Sequence, residues 1–368
     1  MRRLPSLLYG LSVLPIFWGG AVRAAEQAPF PVRVVVVTTF EVGADTGDVP
    51  GEFQEWVSRL PLPETIAFPA GYRALRFNRA LGVLGIVTGE GPTRAAASME
   101  ALGNDPRFDL SHAYILLAGI GGIDPNVASP GSAVWATHVV DGDLAHEIDA
   151  REIPNDWKTG YVPLQRTRPY ELPVPEAQSI TGSNVFSLNV GLANWAYGLT
   201  RAIPLGDTPV LKALRAPYAG YPAGQKPPVV TIGDTLSAGT FWIGARMNGW
   251  AEDWVAYWTH GAGRFVTTAE EDAGFMQSLT FLAQVHKVDL DRVMVLRTGS
   301  NFDMPPPGET PAQLLAAEAK VGSYSGYLPA LDAAYAVGGT VVRELATHWN
   351  RYAAHVPGTV RPDSQGAP

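Results

Sequence analysis

The stretch from residue 115 to residue 123 constrains the fold more than any other, because a continuous apolar run there leads into three glycines. A strand covered on both faces reads as an unbroken apolar run, whereas a half-exposed strand alternates. Glycines at its carboxyl end let the backbone turn sharply and bring N–H groups close to an anion or a sugar. We therefore predict a buried parallel strand that ends in a ligand-binding turn with Gly119, Gly121 and Gly122. A plain turn after a core strand has the same pattern and remains the alternative.

Other apolar segments repeat this pattern along the chain. Strands are predicted at residues 32–38, 81–88, 131–141, 229–235 and 292–296. Helices are predicted at residues 94–102, 185–201 and 327–349, and a short strand within residues 265–273 is predicted to lead into a helix that starts at the three acids 270–272 and continues through residue 281. Short turns with glycine or acidic residues follow most of the strands. This alternation predicts an α/β fold, a three-layer sandwich with a central mixed, mainly parallel sheet, whose ligand lies at the carboxyl ends of the strands.

Two of these turns contain residue types suited to binding. Glu41 follows the strand at residues 32–38 and is either a helix cap or a functional acid at the edge of the sheet. The glycine turn at residues 89–91 opens a helix that begins with Thr93 and Arg94. A helix N-terminus with a hydroxyl and a guanidinium suits an anion such as phosphate. Many α/β proteins have such a turn with no ligand, so both interpretations stay open.

Two further clusters favour structural roles. Asp143, His146, Glu147 and Asp149 follow a predicted strand but lack a repeated histidine spacing, so we predict no metal site there. Tryptophans at positions 250, 254 and 258 lie four residues apart on one helical face. This stripe is typical of a packed core or of a subunit interface.

The N-terminus has the pattern of a secretory signal peptide. Arg2 and Arg3 precede an apolar segment at residues 7–18, and small residues near Ala24 suit cleavage. No later stretch reaches about 18 uninterrupted apolar residues, so we expect a water-soluble mature chain that is exported to the periplasm. The predicted organisation is a signal peptide at 1–24, a single domain at 25–355 with a loop-rich insertion at 151–228, and a flexible tail at 356–368.

Charge and cysteine content exclude several classes of function. Without residues 1–24 the chain has 24 basic and 35 acidic residues, a net charge of −11, which makes nucleic acid a poor partner. There is no cysteine, which excludes disulfides, thiolate metal sites and a cysteine nucleophile.

The order of the turns resembles the nucleoside phosphorylase and nucleosidase superfamily, and more specifically the purine nucleoside permease family. The matching segments are Glu41, residues 88–91, 118–123, 233–237 and 270–272, and residues 297–301. The resemblance covers roughly residues 32–341. It implies a nucleoside phosphorylase-like fold and a homo-oligomer.

The resemblance also implies roles for single residues. The segment with Gly119, Gly121 and Gly122 is expected beside the ribose and phosphate. Glu271 is expected to accept hydrogen bonds from ribose hydroxyls, and Asp272 beside it is expected to bind the substrate as well. Asp234 is expected to contact the substrate, Glu41 to lie near the attacking water, and Thr93 and Arg94 to hold phosphate. Asn301 stands where the superfamily commonly has an aspartate that protonates the purine. An amide holds N7 and the 6-oxo group but donates no titrating proton, so Asp303 is the alternative acid.

The function implied is that of an exported protein that recognises purine nucleosides and cleaves their N-glycosidic bond. Phosphorolysis, with phosphate as co-substrate, and hydrolysis both stay open, and no other cofactor is expected. The alternative is a non-catalytic component that binds nucleosides and passes them to a membrane transport partner. A third interpretation is an exported α/β protein that has lost its site.

Overall fold

The computed structural model describes residues 28–173, 184–318 and 326–359. The predicted signal peptide and the tail from residue 360 lie outside the described residues. The strands are β1 Phe30–Pro31, β2 Val34–Thr38, β3 Glu64–Ile66, β4 Leu75–Asn78, β5 Val83–Val87, β6 Phe108–Asp109, β7 Tyr114–Ile123, β8 Ala133–Asp141, β9 Ala145–Glu147, β10 Tyr161–Pro163, β11 Val185–Ser187, β12 Val230–Ser237, β13 Phe265–Ala269 and β14 Val293–Phe302. The helices are α1 Gln54–Arg59, α2 Pro92–Gly103, α3 Val190–Thr200, α4 Pro209–Arg215, α5 Ala245–Trp258, α6 Asp272–Gln284, α7 Pro311–Glu318, α8 Tyr327–Thr347 and α9 Trp349–Tyr352, with a 3-10 turn at Leu290–Arg292.

One large mixed sheet organises the molecule. Its strand order is β11-β8-β12-β13-β7-β2-β5-β4-β3, and β14 pairs with both β7 and β8. Strands β7, β13, β12, β8 and β14 therefore close into a ring. The long pairings are parallel, since β14 follows β7 from Val293 opposite Ile115 to Phe302 opposite Ile123, whereas the antiparallel pairings are short. The predicted α/β fold with a mixed, mainly parallel sheet is confirmed.

Helices cover both faces of the sheet because its central strands are apolar on both sides. In β2, Val35 and Val37 pack on one side against α2 and α6, while Val34 and Val36 pack on the other against α1, α3 and α8. All four valines are fully buried. Each contributes on the order of 1.5–3 kcal/mol relative to an exposed side chain. This double burial produces the three predicted layers.

Three strands continue where the sequence predicted turns, and those predictions are wrong. β7 runs through its glycines to Ile123, β14 runs through Arg297 to Phe302, and β12 runs to Ser237 with a bulge between Asp234 and Thr235. Hydrogen bonds to neighbouring strands of the ring extend each of them. Glycine serves close backbone approach here, because a Cβ on Gly121 would lie 2.1 Å from the carbonyl oxygen of Thr268.

Helix α5 carries the tryptophan stripe. Trp250 and Trp254 are buried against residues of β8, β12 and β13, so these two side chains belong to the core. Within the described part of the chain, no helix is both long and apolar enough to cross a bilayer.

Candidate functional site

The candidate site is a cavity of about 210 Å³ at the carboxyl ends of β2 and β13 and beside the glycine segment of β7. Strand ends meet there because neighbouring parallel strands finish at the same edge of a sheet. Its lining includes Gly121, Gly122, Glu271 and Asn301, four residues that the sequence predicted for the site. The structure therefore brings the proposed ribose-binding acid and the proposed base-binding amide into one cavity.

Arg297 is the centre of the charged side of this cavity, and its side chain is almost fully buried. Its Nε donates to Asp272 Oδ1 at 3.0 Å and its Nη2 donates to Glu271 Oε2 at 2.9 Å. A buried guanidinium needs such partners because desolvation penalises an unpaired charge. Burial acts to lower the pKa of Arg297, but the charges of Asp272, Glu271 and Glu52 outweigh it and raise that pKa.

Gly119 makes room for this arginine. The residue lies opposite Arg297 in the β7–β14 pairing, and a Cβ at this position would lie 2.5 Å from Arg297 Nη1 and 2.4 Å from Glu52 Oε1. A side chain here would displace the charged groups. Gly119 thus shapes the site from beneath, without being among the cavity-lining residues.

Glu271 and Asp272 occupy the start of α6, and they have different positions relative to the cavity. Asp272 is fully buried behind Arg297 and is not part of the lining. Glu271 lines the cavity, and its Oε1 accepts a hydrogen bond from the amide of Gly91 at 3.1 Å. Asp272 therefore positions Arg297, which corrects the expectation that it binds the substrate itself, while Glu271 faces the cavity.

Glu52 is a cavity acid that the sequence did not reveal. Its Oε2 accepts from the amide and hydroxyl of Thr39 at 2.7 and 2.9 Å, and its Oε1 accepts from the amide of Ile120 at 2.6 Å. Burial raises the pKa of Glu52 to about 7, against the opposing charge of Arg297. A carboxyl group with this pKa is suited to proton transfer near neutral pH. No local pattern around residue 52 marks it, because only the folded loop brings it to the end of β2.

Glu41, the acid predicted for this place, lies elsewhere. Its carboxylate accepts hydrogen bonds from four backbone amides, those of Val42, Gly51, Phe53 and Gln54. It is not among the cavity-lining residues. Glu41 therefore fastens the loop that carries Glu52, which corrects the expectation that Glu41 itself contacts the reacting groups.

The far side of the cavity carries amide and hydroxyl groups. The side chain of Asn301 lines the cavity, with Oδ1 accepting from Ser300 Oγ at 2.8 Å and Nδ2 donating to the carbonyl of Phe302 at 3.3 Å. These bonds fix the orientation of the amide. Phe40, Phe241, Trp242 and Tyr327 supply apolar walls that suit a planar ring. No local pattern in the sequence marks these aromatic residues as part of a site.

Asp303 lies behind this side of the cavity, outside its lining. Its Oδ1 accepts from the hydroxyl of Thr268 at 3.2 Å, and Thr268 does line the cavity. The other oxygen, Oδ2, has no hydrogen-bond partner among the described residues. Burial, together with the charge of Asp124, raises the pKa of Asp303 well above its usual value. Both effects favour the protonated form of this carboxyl group, which lies one hydroxyl away from the cavity.

Three other predicted residues lie away from the cavity. Thr93 and Arg94 are exposed on α2, and Arg94 donates to the backbone carbonyl of Glu90. Asp234 is buried at the bulge of β12, where it accepts from the hydroxyl of Thr137 at 2.7 Å and from the amide of Arg264 at 2.6 Å. It joins β12 to its neighbours. The structure therefore separates these three residues from the site.

Comparisons with known proteins identify the family of the chain. The sequence model of the purine nucleoside permease (NUP) family matches residues 31–357. A probable purine nucleoside permease of Schizosaccharomyces pombe is 30% identical over 362 residues, 95% of this chain and 98% of that relative. A purine nucleoside permease of Candida albicans is 26% identical, over 89% of this chain and 79% of the relative. The solved futalosine hydrolase of Helicobacter pylori is 12% identical, with a TM-score of 0.49 over 85% of this chain and 98% of that chain. The resemblance found in the sequence is confirmed by the family match, and the chain belongs to the purine nucleoside permease family.

Proposed function

We propose that the protein binds a purine nucleoside in this cavity and cleaves its N-glycosidic bond. One observation carries the proposal: Glu271, Glu52 and Asn301 line the same cavity, although they are far apart in the sequence. A carboxylate, a near-neutral acid and an amide are the groups needed to hold a sugar, activate an acceptor and receive a leaving base. The family name and the names of the fungal relatives support a purine nucleoside as ligand.

Glu271 has the role of the ribose-binding group. Its Oε1 and Oε2 are held by Gly91 and Arg297, which fixes the carboxylate with lone pairs left to accept from two adjacent hydroxyls. Glu52 accepts a proton from the acceptor molecule as the acceptor bonds to C1′ of the ribose. Both acids are rigidly placed, so the sugar is held in one orientation.

The purine leaves at the opposite side. Breaking the bond between C1′ and the ring nitrogen transfers an electron pair to the purine, which needs donors or a proton. The amide of Asn301 donates to the base, and Asp303 supplies the proton through the hydroxyl of Thr268. The proton that reached Glu52 and the proton lost from Asp303 are then exchanged with solvent, which restores both groups.

Incubation of the purified protein with inosine or guanosine tests the proposal, with free base measured by chromatography. We expect free base from the wild type and a loss of roughly 10- to 100-fold in kcat/KM for Asn301→Leu, because the donor to the leaving base is removed. Glu152→Gln, an exposed change in the predicted insertion, is the matched control and should retain the wild-type rate. If neither inosine nor guanosine releases free base, the proposal of cleavage is contradicted.

The second candidate is a nucleoside-binding component that passes its ligand to a membrane partner. The permease names of the relatives and the amide at position 301 favour it. It predicts tight inosine binding in calorimetry without turnover. Under both candidates we propose that the protein is exported, on the basis of the signal-peptide pattern at residues 1–24.

A further inference from the structure

The cavity has a single cation among its lining residues in the described chain, and that cation is already neutralised. Arg297 donates to Asp272 and Glu271 and lies 3.9 Å from Glu52. Its Nη1 also donates to the backbone carbonyl of Ile120 at 2.9 Å. A phosphate group needs free positive charge or free amide donors. The guanidinium offers neither, because all of its terminal nitrogens are engaged.

The helix terminus that the sequence assigned to an anion is occupied as well. Gly91 is the N-cap residue of α2, and its amide donates to Glu271 Oε1. The anion at this N-terminus is therefore a carboxylate of the protein itself. Thr93 and Arg94, the expected phosphate ligands, are exposed outside the cavity.

Two further carboxyl groups line the cavity toward its opening, those of Glu90 and Glu270. Glu90 is exposed and Glu270 is half-buried. Within the described residues, neither forms an ion pair with a lysine, arginine or histidine. An anionic ligand that enters meets the like charge of Glu90 and, as pH rises past about 7, that of Glu270, and water screens such charge less inside a cavity than on an open surface. An uncharged nucleoside meets no such opposition.

We infer that Glu90 and Glu270 restrict the cavity to uncharged nucleosides, exclude phosphate and 5′-phosphorylated nucleosides, and thereby make water the acceptor in cleavage. The inference rests on the proposed function. In this reaction the bond between C1′ and the purine nitrogen breaks, and a bond from C1′ to the water oxygen forms. One proton of the water goes to Glu52, and the purine takes a proton from Asp303 through Thr268. The products are free ribose and free base.

Two experiments on the full chain test it. First, inosine cleavage is followed with and without inorganic phosphate, and the sugar product is identified. We expect the same rate in both conditions and free ribose as the product. Second, inosine 5′-monophosphate is tested as a competitor of inosine. We expect the monophosphate to compete weakly for the wild type and to bind the variant E90Q/E270Q with roughly tenfold or more higher affinity. The variant E152Q is the matched control, and the monophosphate should compete for it as weakly as for the wild type.

The outcomes separate this inference from the proposed function. Phosphate-dependent cleavage with ribose 1-phosphate as product confirms cleavage but overturns the inference, and so does unchanged competition in E90Q/E270Q. If inosine binds without turnover, calorimetry replaces the rate measurement. A preference for inosine over its monophosphate that E90Q/E270Q reduces then supports the exclusion, and equal affinities overturn it. If inosine neither binds nor is cleaved, the proposed function itself fails.

Discussion

The glycine segment of β7, residues 119–122, has a group of buried acids at each end, and only one of the two groups contains a cation. Beside Gly119, the carboxyl groups of Glu52, Glu271 and Asp272 surround the guanidinium of Arg297. Beside Gly122, Asp303 lies 1.9 Å from the place where a Cβ would be, with the hydroxyl of Thr268 as its hydrogen-bond donor. Both groups are removed from water, but only the first contains a cation.

The cation decides what each group can do. Around Arg297, opposite charge offsets the desolvation cost of the neighbouring carboxyl groups, so Glu271 can present negative charge to a ligand, while burial still raises the pKa of Glu52 to about 7. At Asp303, burial and the nearby charge of Asp124 both raise the pKa, which favours the protonated carboxyl group. Similar burial thus has different results at the two ends, with ion-paired carboxylates beside the cation and a carboxyl group that favours its proton where no cation is present.

The largest effect is expected from removing the cation. Arg297→Met leaves three buried carboxyl groups without a counter-charge, and breaking a buried ion pair in this way costs about 3–5 kcal/mol of the free energy of unfolding. Urea unfolding measures the loss. Arg94→Met, on the exposed face of α2, is the control and should change stability by less than about 0.5 kcal/mol. A loss below about 1 kcal/mol for Arg297→Met contradicts the contrast between the two groups.

The next effect concerns proton transfer by Glu52. Glu52→Gln should lower kcat for inosine cleavage by roughly 10²- to 10⁴-fold, because an amide accepts no proton from the acceptor. With a pKa of about 7 for Glu52, wild-type kcat/KM should rise by about tenfold per pH unit up to that pH and then level off.

Glu270 also has a pKa raised to about 7, by burial and by the charges of Glu271 and Glu90, so it needs its own control. The rise with pH should survive in Glu270→Gln and disappear in Glu52→Gln. If Glu52→Gln is slow but keeps the same pH profile, Glu52 acts only on structure.

The smallest effect is expected at Asp303, and it has the opposite sign from that at Arg297. The folded-state pKa of Asp303 is raised above its ordinary value of 3.8, so the unfolded chain loses this proton at a lower pH than the folded chain does. The contribution of Asp303 to stability is therefore complete below about pH 4 and declines as pH rises toward its folded pKa. Asp303→Asn has no such titration. The variant should match the wild type near pH 4 and become more stable than the wild type as pH rises from there.

Urea unfolding at a series of pH values checks this difference. Asp156→Asn, at an exposed position, is the matched control and should show no pH-dependent difference from the wild type of comparable size. A wild type that stays more stable than Asp303→Asn at high pH would mean that Asp303 is ionised in the fold.

The sequence predicted where strands begin better than where they end. Four consecutive valines in β2 and the apolar start of β7 predict buried strands from residue type alone, and these residues are buried. Gly119 and Arg297 read as strand ends because glycine and charge are rare inside strands. Yet in the fold each accommodates the other across the β7–β14 pairing. Such a dependence between distant residues leaves no trace in either local pattern.

The residues of the candidate site were likewise predicted only in part. The family resemblance placed Glu271 and Asn301 correctly in one cavity, because both lie at the carboxyl ends of buried strands or just after them. Glu41 and Glu52 lie in one loop after β2, and the acid nearer to the strand was predicted for the cavity. The loop folds back on Glu41 through four amides and turns Glu52 inward, an arrangement set by backbone hydrogen bonds rather than by residue type.

The closed ring of β7, β13, β12, β8 and β14 limits local unfolding of the sheet around the cavity. A strand at an open edge frays by breaking one ladder, but every strand of a ring is hydrogen-bonded on two sides, so none can peel away alone. The side chains carried by these strands therefore keep their spacing when a ligand binds. Adjustment to the ligand falls to lining residues outside the strand ring, those of the segment at residues 238–242 and Tyr327.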